Sequence, residues 1–173
     1  MDNIQTTTQV PPPPQRSTFL TVLCILTFLA SSYGLVTNIS SYLNADVSSS
    51  FVQQSLDDTQ SKLEEKLEGD EKGADITNKV MSDASRLATP ENIKKSALFA
   101  ILANVLTLSG AILMFMLRKP GFWMYVAGTL ISIVAPLMIY GTGNILGLGL
   151  TILIGFFGIL FVVLYALNLK QLR

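Results

Sequence analysis

The chain contains no histidine and one cysteine, and only 14% of its 173 residues are charged. Histidine is the commonest general base and metal-binding side chain near neutral pH, so most enzyme and metal chemistry is excluded with it. A lone cysteine makes neither an internal disulfide nor a thiolate cluster. Twelve basic and twelve acidic side chains cancel to zero net charge, leaving no basic excess to hold nucleic acid. No cofactor and no nucleic-acid partner is expected.

What remains is apolar. Half of the residues are hydrophobic, and charge is missing from three long runs, 17–45, 96–117 and 120–169. A helix rises 1.5 Å per residue, so about 20 apolar residues cross a hydrocarbon core of roughly 30 Å. Four spans satisfy this: 17–37, 96–117, 122–140 and 145–169. The last uncharged run is too long for one crossing, and Gly141, Thr142, Gly143 and Asn144 place permissive turn residues in its middle. Backbone hydrogen bonding in lipid demands helices or closed barrels, and these runs lack the alternation of barrel strands. The expected fold is an all-α membrane protein with four transmembrane helices and an extracytoplasmic helical segment between spans one and two.

Orientation follows the basic residues beside the spans, which favour the cytoplasm. Arg16, Arg118, Lys119, Lys170 and Arg173 share one side, whereas the 141–144 turn has no charge. Both termini are therefore expected inside. Lys94 and Lys95 oppose this from the other end of span two, but they follow a long acidic segment that the rule governs poorly, and lysines near a helix end snorkel. Phe122, Trp123, Tyr125 and Tyr165 stand near the inner interface, and Tyr33 and Tyr140 near the outer one. Ala30, Ser31 and Ser32 resemble a signal-peptide cleavage site. The uncharged run continues past them through Val36, so an uncut span is the preferred reading.

Residues 1–16 form a tail of Gln, Thr and Pro, too poor in apolar side chains to order themselves. Pro11 to Pro14 with Arg16 match a ligand pattern for proline-binding adaptors, but Arg16 abuts the bilayer, and a flexible tail is the plainer reading.

Residues 38–95 carry eleven of the twelve acidic and seven of the twelve basic side chains. Val52, Leu56, Leu63 and Leu67 are spaced by four, seven and four, one stripe of an amphipathic helix, with Asp57, Asp58, Glu64 and Glu65 facing away. Gly69 to Gly73 interrupt the pattern, and Ile76, Val80 and Leu87 resume it in a second, shorter helix. These seven apolar residues are candidate contacts for each other, the membrane surface or a protein partner. Thr89, Pro90 and Glu91 combine a hydroxyl cap, a first-turn proline and an acid at the positive helix end. The helix of span two should therefore run from about Pro90 to Leu117.

The carboxylate pairs Asp57–Asp58 and Glu64–Glu65 are helix neighbours that do not face each other, and a solvated face explains them. Asn38, Ile39 and Ser40 spell a glycosylation sequon too frequent by chance to carry a role. No Asp, Glu, Lys, Arg or His lies within a span, which disfavours proton relays and voltage sensors. Asn104 is the foremost polar group inside, expected as a hydrogen bond between helices before a substrate contact. Cys24 reads as an apolar filler. Gly143, Gly147, Thr151 and Gly155 repeat every four residues and make a smooth face on span four. Gly128 and Ser132 do the same on span three, where Pro136 removes the hydrogen bond to Ser132. These eight positions, Asn104 included, are the candidate packing or groove residues.

The stretches Thr18 to Leu23, Ala111 to Phe115 before Arg118 and Lys119, and Leu164 to Lys170, with the proline-rich tail, resemble uncharacterised small four-span bacterial inner-membrane proteins. The resemblance implies that location and no mechanism. Claudins and tetraspanins share the topology, but one intramembrane cysteine does not supply their disulfides. The expected function is that of a non-enzymatic accessory or structural subunit whose outer segment, 38–95, contacts a protein partner or the membrane surface. The alternative is a small-solute or lipid-handling transporter or channel using the groove around Asn104, Pro136 and the span-four glycines.

Overall fold

The computed structural model describes residues 17–66, 71–141 and 145–172. They form six α-helices: α1 (Thr18–Leu43), α2 (Ala45–Lys66), α3 (Glu71–Leu87), α4 (Pro90–Phe115), α5 (Pro120–Tyr140) and α6 (Ile145–Ala166). A 3₁₀ turn at Leu169–Gln171 follows. The proline-rich tail, Leu67, Gly69 and Gly143 lie outside the described residues. Four helices are long and apolar enough to cross a membrane: α1, α4, α5 and, from Gly147 onward, α6. Among the described residues the fold is all-helical, and its four apolar helices are compatible with an integral membrane protein.

Helix ends differ from the sequence expectation in ways that local chemistry explains. Ser17 caps α1 by accepting a hydrogen bond from the Leu20 amide at 3.1 Å. That helix does not stop at Thr37 but continues to Leu43, and α2 begins after a single residue, Asn44. The Ser48 amide bonds the Asn44 carbonyl at 2.8 Å, so the helical ladder restarts at once. Only the non-helical backbone of Asn44, at φ -114 and ψ 35, separates the two helices. Helix α3 already starts at Glu71, which puts Gly73 in its first turn rather than in the break; first-turn amides have no intrahelical partner, so glycine disturbs little there. Thr89 and Pro90 start α4 as expected, with the Asn92 amide bonded to the Thr89 hydroxyl at 3.3 Å.

Helix α4 ends at Phe115, two residues before the sequence limit. The Arg118 amide reaches the Leu113 carbonyl and the Leu117 amide reaches that of Met114, both at 2.9 Å. This is a Schellman cap with leucine at φ 61 where glycine is usual. Helix α6 likewise stops at Ala166, not Leu169. Asn168 turns the chain there, its side-chain amide bonding the Leu164 carbonyl at 2.9 Å. Ser17 donates to the Asn168 carboxamide oxygen at 3.2 Å, tying the start of α1 to the end of α6.

Around the bundle the order is α1, α4, α5, α6, with the most extensive packing between α4 and α5. Helices α1 and α6 meet little along their length, and a cleft of about 200 Å³ lies between them, flanked by Ala30, Ser31, Phe157 and Gly158. The other two helices pair as a hairpin, α2 resting on α4 and α3 on α6. An isolated hairpin of this size buries too little to hold itself together, and the bundle supplies the missing surface. The hairpin end of the bundle is therefore distinct from the basic end, where Arg118, Lys119 and Lys170 lie.

The two ends are packed differently. Leu20, Leu23, Cys24, Met114, Phe122, Tyr125, Tyr165 and Leu172 form one buried cluster at the basic end. The Tyr125 and Tyr165 rings stand 4.8 Å apart, and Phe28 meets Phe115 edge-on at 5.8 Å. Toward the hairpin end the inward positions are small: Ala97, Ala103, Gly128, Ala135, Gly147, Thr151 and Gly155. Large side chains close one end, and small ones leave space at the other.

Candidate functional site

That space is a cavity of about 310 Å³ reached by all four spanning helices. Its apolar wall comes from Phe99 and Ala100 of α4, Ile131, Ala135 and Ile139 of α5, and Leu150 and Ile154 of α6. Six polar side chains interrupt that wall: Asn38, Ser96, Asn104, Ser132, Tyr140 and Thr151. None carries a full charge at neutral pH. Within the described residues no group of three potential metal ligands occurs.

The polar groups lie at two levels. Ser96 and Tyr140 mark the hairpin end of α4 and α5 and hydrogen-bond each other across the two helices, with Asn38 contributed by α1. Asn104 lies eight residues along α4 from Ser96, and Ser132 eight residues back along α5 from Tyr140. At 1.5 Å per residue both are about 12 Å deeper, close to the middle of a hydrocarbon core roughly 30 Å thick. Thr151 joins them from α6. The deeper groups form a polar floor where lipid alone would surround apolar side chains.

Each side chain on the floor is held by its own helix. Thr151 donates its hydroxyl proton to the Gly147 carbonyl at 2.7 Å, Ser132 to that of Gly128 at 3.1 Å, and the Asn104 amide to that of Ala100 at 2.8 Å. At the upper level the Asn38 amide does the same to Gly34 at 2.6 Å. A hydroxyl has one proton and two lone pairs. Its proton being spent on the backbone, the Ser132 and Thr151 oxygens face outward as acceptors. Asn104 is further fixed by Gly34 of α1, where an added Cβ would come within 2.8 Å of the Asn104 carboxamide oxygen. A side chain at that position would make the carboxamide shift.

Of the groove residues expected from sequence, Asn104, Ser132, Pro136, Gly147 and Thr151 all border this one cavity. Helix α5 continues through Pro136. Gly128 lies a turn deeper, where its Cβ position is 2.8 Å from the Ala103 carbonyl and 2.7 Å from the Thr107 methyl. Gly155 is buried, but its Cβ position is in ordinary contact with Ile133 at 3.6 Å, so no neighbouring backbone approaches it. Of Gly149, Gly155 and Gly158, the one in close approach is Gly158, against the Thr129 methyl at 2.7 Å. Asn104 makes no hydrogen bond between helices among the described residues. Such bonds are made instead by Ser31 with Thr107 at 3.1 Å, by Thr27 with Tyr165 at 2.8 Å and by the Ser96–Tyr140 pair.

Three polar members escaped the sequence reading. Asn38 had registered only as a sequon, Tyr140 only as an interfacial aromatic and Ser96 only as the start of a span. Their signal was shared depth: all three sit at the same predicted end of their spans. The expected contact stripe divides. Leu56, Leu63, Val80 and Leu87 are half-buried within the hairpin, whereas Val52 and Ile76 are exposed. Val47 and Phe51, absent from the stripe, are each 70% exposed; they precede Val52, its first member. Among known proteins the chain matches no protein-family model, no curated protein and no solved structure.

Proposed function

We propose that this chain is a non-enzymatic accessory or structural subunit of a membrane assembly, and that the α2–α3 hairpin contacts a protein partner on the extracytoplasmic side. The observation that carries the reading is the pair Val47 and Phe51. They are one helical turn apart, both largely exposed, and they follow Asp46, whose carboxylate meets Lys94 at 3.9 Å. Charged groups mark the edge of the hydrocarbon, so lipid tails that cover the exposed apolar faces of α1 and α6 do not extend to these two. Ile76, 65% exposed on α3, is a further exposed apolar side chain of the hairpin. Exposed apolar side chains on a soluble segment are a feature of interaction surfaces.

The positive-inside bias supports cytoplasmic termini, and the resemblance noted above supports a bacterial inner membrane. A photo-crosslinking amino acid at Phe51, activated in native membranes, tests the partner. A discrete adduct with one protein is expected. Adducts with lipid alone would overturn the reading.

The cavity favours a second reading, a small-solute or lipid-handling transporter or channel. No nucleophile with an adjacent base lines it, which speaks for binding rather than covalent chemistry.

A further inference from the structure

We infer that the cavity is a binding site for an uncharged aliphatic molecule bearing a free hydroxyl group, with that hydroxyl held on the floor formed by Asn104, Ser132 and Thr151. The proposal rests on the cavity reading and gives it a ligand class. It is independent of the partner at α2, so crosslinking at Phe51 can succeed or fail without touching it.

Size comes first. A volume of about 310 Å³ is the share of roughly ten waters and falls at the lower end of the range for small-molecule pockets. Residues from four helices line it, so its shape is set by how those helices pack rather than by any one of them. Charge comes next. No Asp, Glu, Lys, Arg or His lines the space, and an anion or cation there would lose hydration with nothing of opposite sign to replace it. The occupant is uncharged. Most of the wall is apolar, so the occupant has an aliphatic body.

Hydrogen bonding then sets its polar end. The protons of Ser132 and Thr151 are committed to the Gly128 and Gly147 carbonyls, and one amide proton of Asn104 is committed to Ala100. What the floor offers is therefore mainly oxygen lone pairs, those of two hydroxyls and of the Asn104 carboxamide. Only one donor remains, the second amide proton of Asn104. A ligand that merely accepts, such as an ester or a ketone, meets mostly acceptors. A hydroxyl donates its proton to one of these oxygens and accepts from the Asn104 amide, so it satisfies both kinds of group. Gly34 leaves room for the carboxamide, since a Cβ there would come within 2.8 Å of its oxygen.

The test uses the full-length protein in detergent and three photoactivatable probes with the same medium-length aliphatic chain carrying a diazirine. One ends in a hydroxyl, one in a carboxylate and one in a methyl group. The alcohol is expected to label cavity residues of α4, α5 or α6 at least fivefold more than either of the others, and unlabelled alcohol should compete. Thr151→Val preserves shape and removes an acceptor oxygen; it should lower alcohol labelling toward that of the methyl-ended probe. Ala100→Phe fills the space and should abolish labelling of the cavity by all three. Melting behaviour and elution volume identify any variant that fails to fold, and Ser132→Ala then replaces it. Equal labelling by the alcohol and the methyl-ended probe, preference for the carboxylate, or no cavity labelling at all would overturn the assignment.

Discussion

Gly110 of α4 and Gly121 of α5 hold two backbones against each other: a Cβ on Gly121 would stand 2.5 Å from the Gly110 carbonyl oxygen, and one on Gly110 would stand 2.7 Å from that of Gly121. Neither obstacle is a flexible side chain that can move aside. Gly110→Ala or Gly121→Ala should therefore separate the helices and destabilise the protein by about 1–3 kcal/mol, the usual cost of overpacking. Thermal unfolding in detergent measures this. Gly149→Ala is the control, because nothing lies within 4 Å of its Cβ position, and its melting temperature should match or slightly exceed that of the parent.

Thr27 and Tyr165 close the bundle where α1 and α6 otherwise touch little. Their hydroxyls are 2.8 Å apart and buried, and the Tyr165 ring sits wholly inside the core. Hydrogen bonds between spanning helices contribute roughly 0.5–1.5 kcal/mol. Tyr165→Phe and Thr27→Val should each cost about that much, and the double variant should cost less than their sum. A double-mutant cycle giving no coupling would mean that the ring packing alone joins the two helices.

The spans were legible because hydrophobic length is a strong signal that tertiary packing does not override, and the Thr89–Pro90 cap was legible because its chemistry is local. The continuation of α1 through Leu43 was less so. Residues 38–43 have neither the unbroken hydropathy of a span nor the striped pattern of a surface helix, and the helix persists there because nothing before Asn44 stops it. The cavity residues on α4, α5 and α6 were found individually as small or polar interruptions in apolar runs. Their convergence was not, since it depends on which helix faces which. The Gly110–Gly121 contact left a readable trace in the small residues Ala103, Thr107 and Gly110 opposite Gly121 and Gly128, away from the fourfold glycine repeat of span four.

The proposed orientation has a direct measurement. With Cys24→Ala as background, Ser61→Cys on the exposed surface of α2 should react with an impermeant thiol reagent in intact cells, and Gln171→Cys should react only after the membrane is opened. The basic residues Arg118, Lys119 and Lys170 at the end opposite the hairpin motivate this expectation. The reversed pattern would put the hairpin in the cytoplasm and end the extracytoplasmic reading.

Within the hairpin, Leu63 and Phe51 separate folding from recognition. Leu63 is half-buried on α2, so Leu63→Asp forces a charge into an apolar contact at a cost of order 1–3 kcal/mol, and the hairpin should become sensitive to protease. Phe51 projects from the surface, so Phe51→Asp should leave protease resistance unchanged and remove the partner. Crosslinking from a neighbouring exposed position, such as Ser55, reads the second effect. Retained crosslinking in Phe51→Asp would show that this side chain is not part of the contact.

Gly155 and Gly158, one turn apart on α6, are expected to answer the same substitution differently. At Gly155 an alanine methyl would reach Ile133 at 3.6 Å, an ordinary contact, so Gly155→Ala should fill space and leave stability unchanged or slightly raised. At Gly158 the methyl would come within 2.7 Å of the Thr129 side chain. Thr129 is not free to turn away, because its hydroxyl donates to the Tyr125 carbonyl at 3.0 Å and the residue is buried. Rotation would break that bond among apolar neighbours, and staying put would push α6 outward. Gly158→Ala should therefore lower the melting temperature by several degrees, as a loss of about 1–2 kcal/mol does for a chain of this length. Thr129→Ala removes the obstructing methyl, so the double variant Gly158→Ala with Thr129→Ala should recover most of the loss that Gly158→Ala adds. Additive losses in that pair would show that the methyl of Thr129 is not what keeps alanine out.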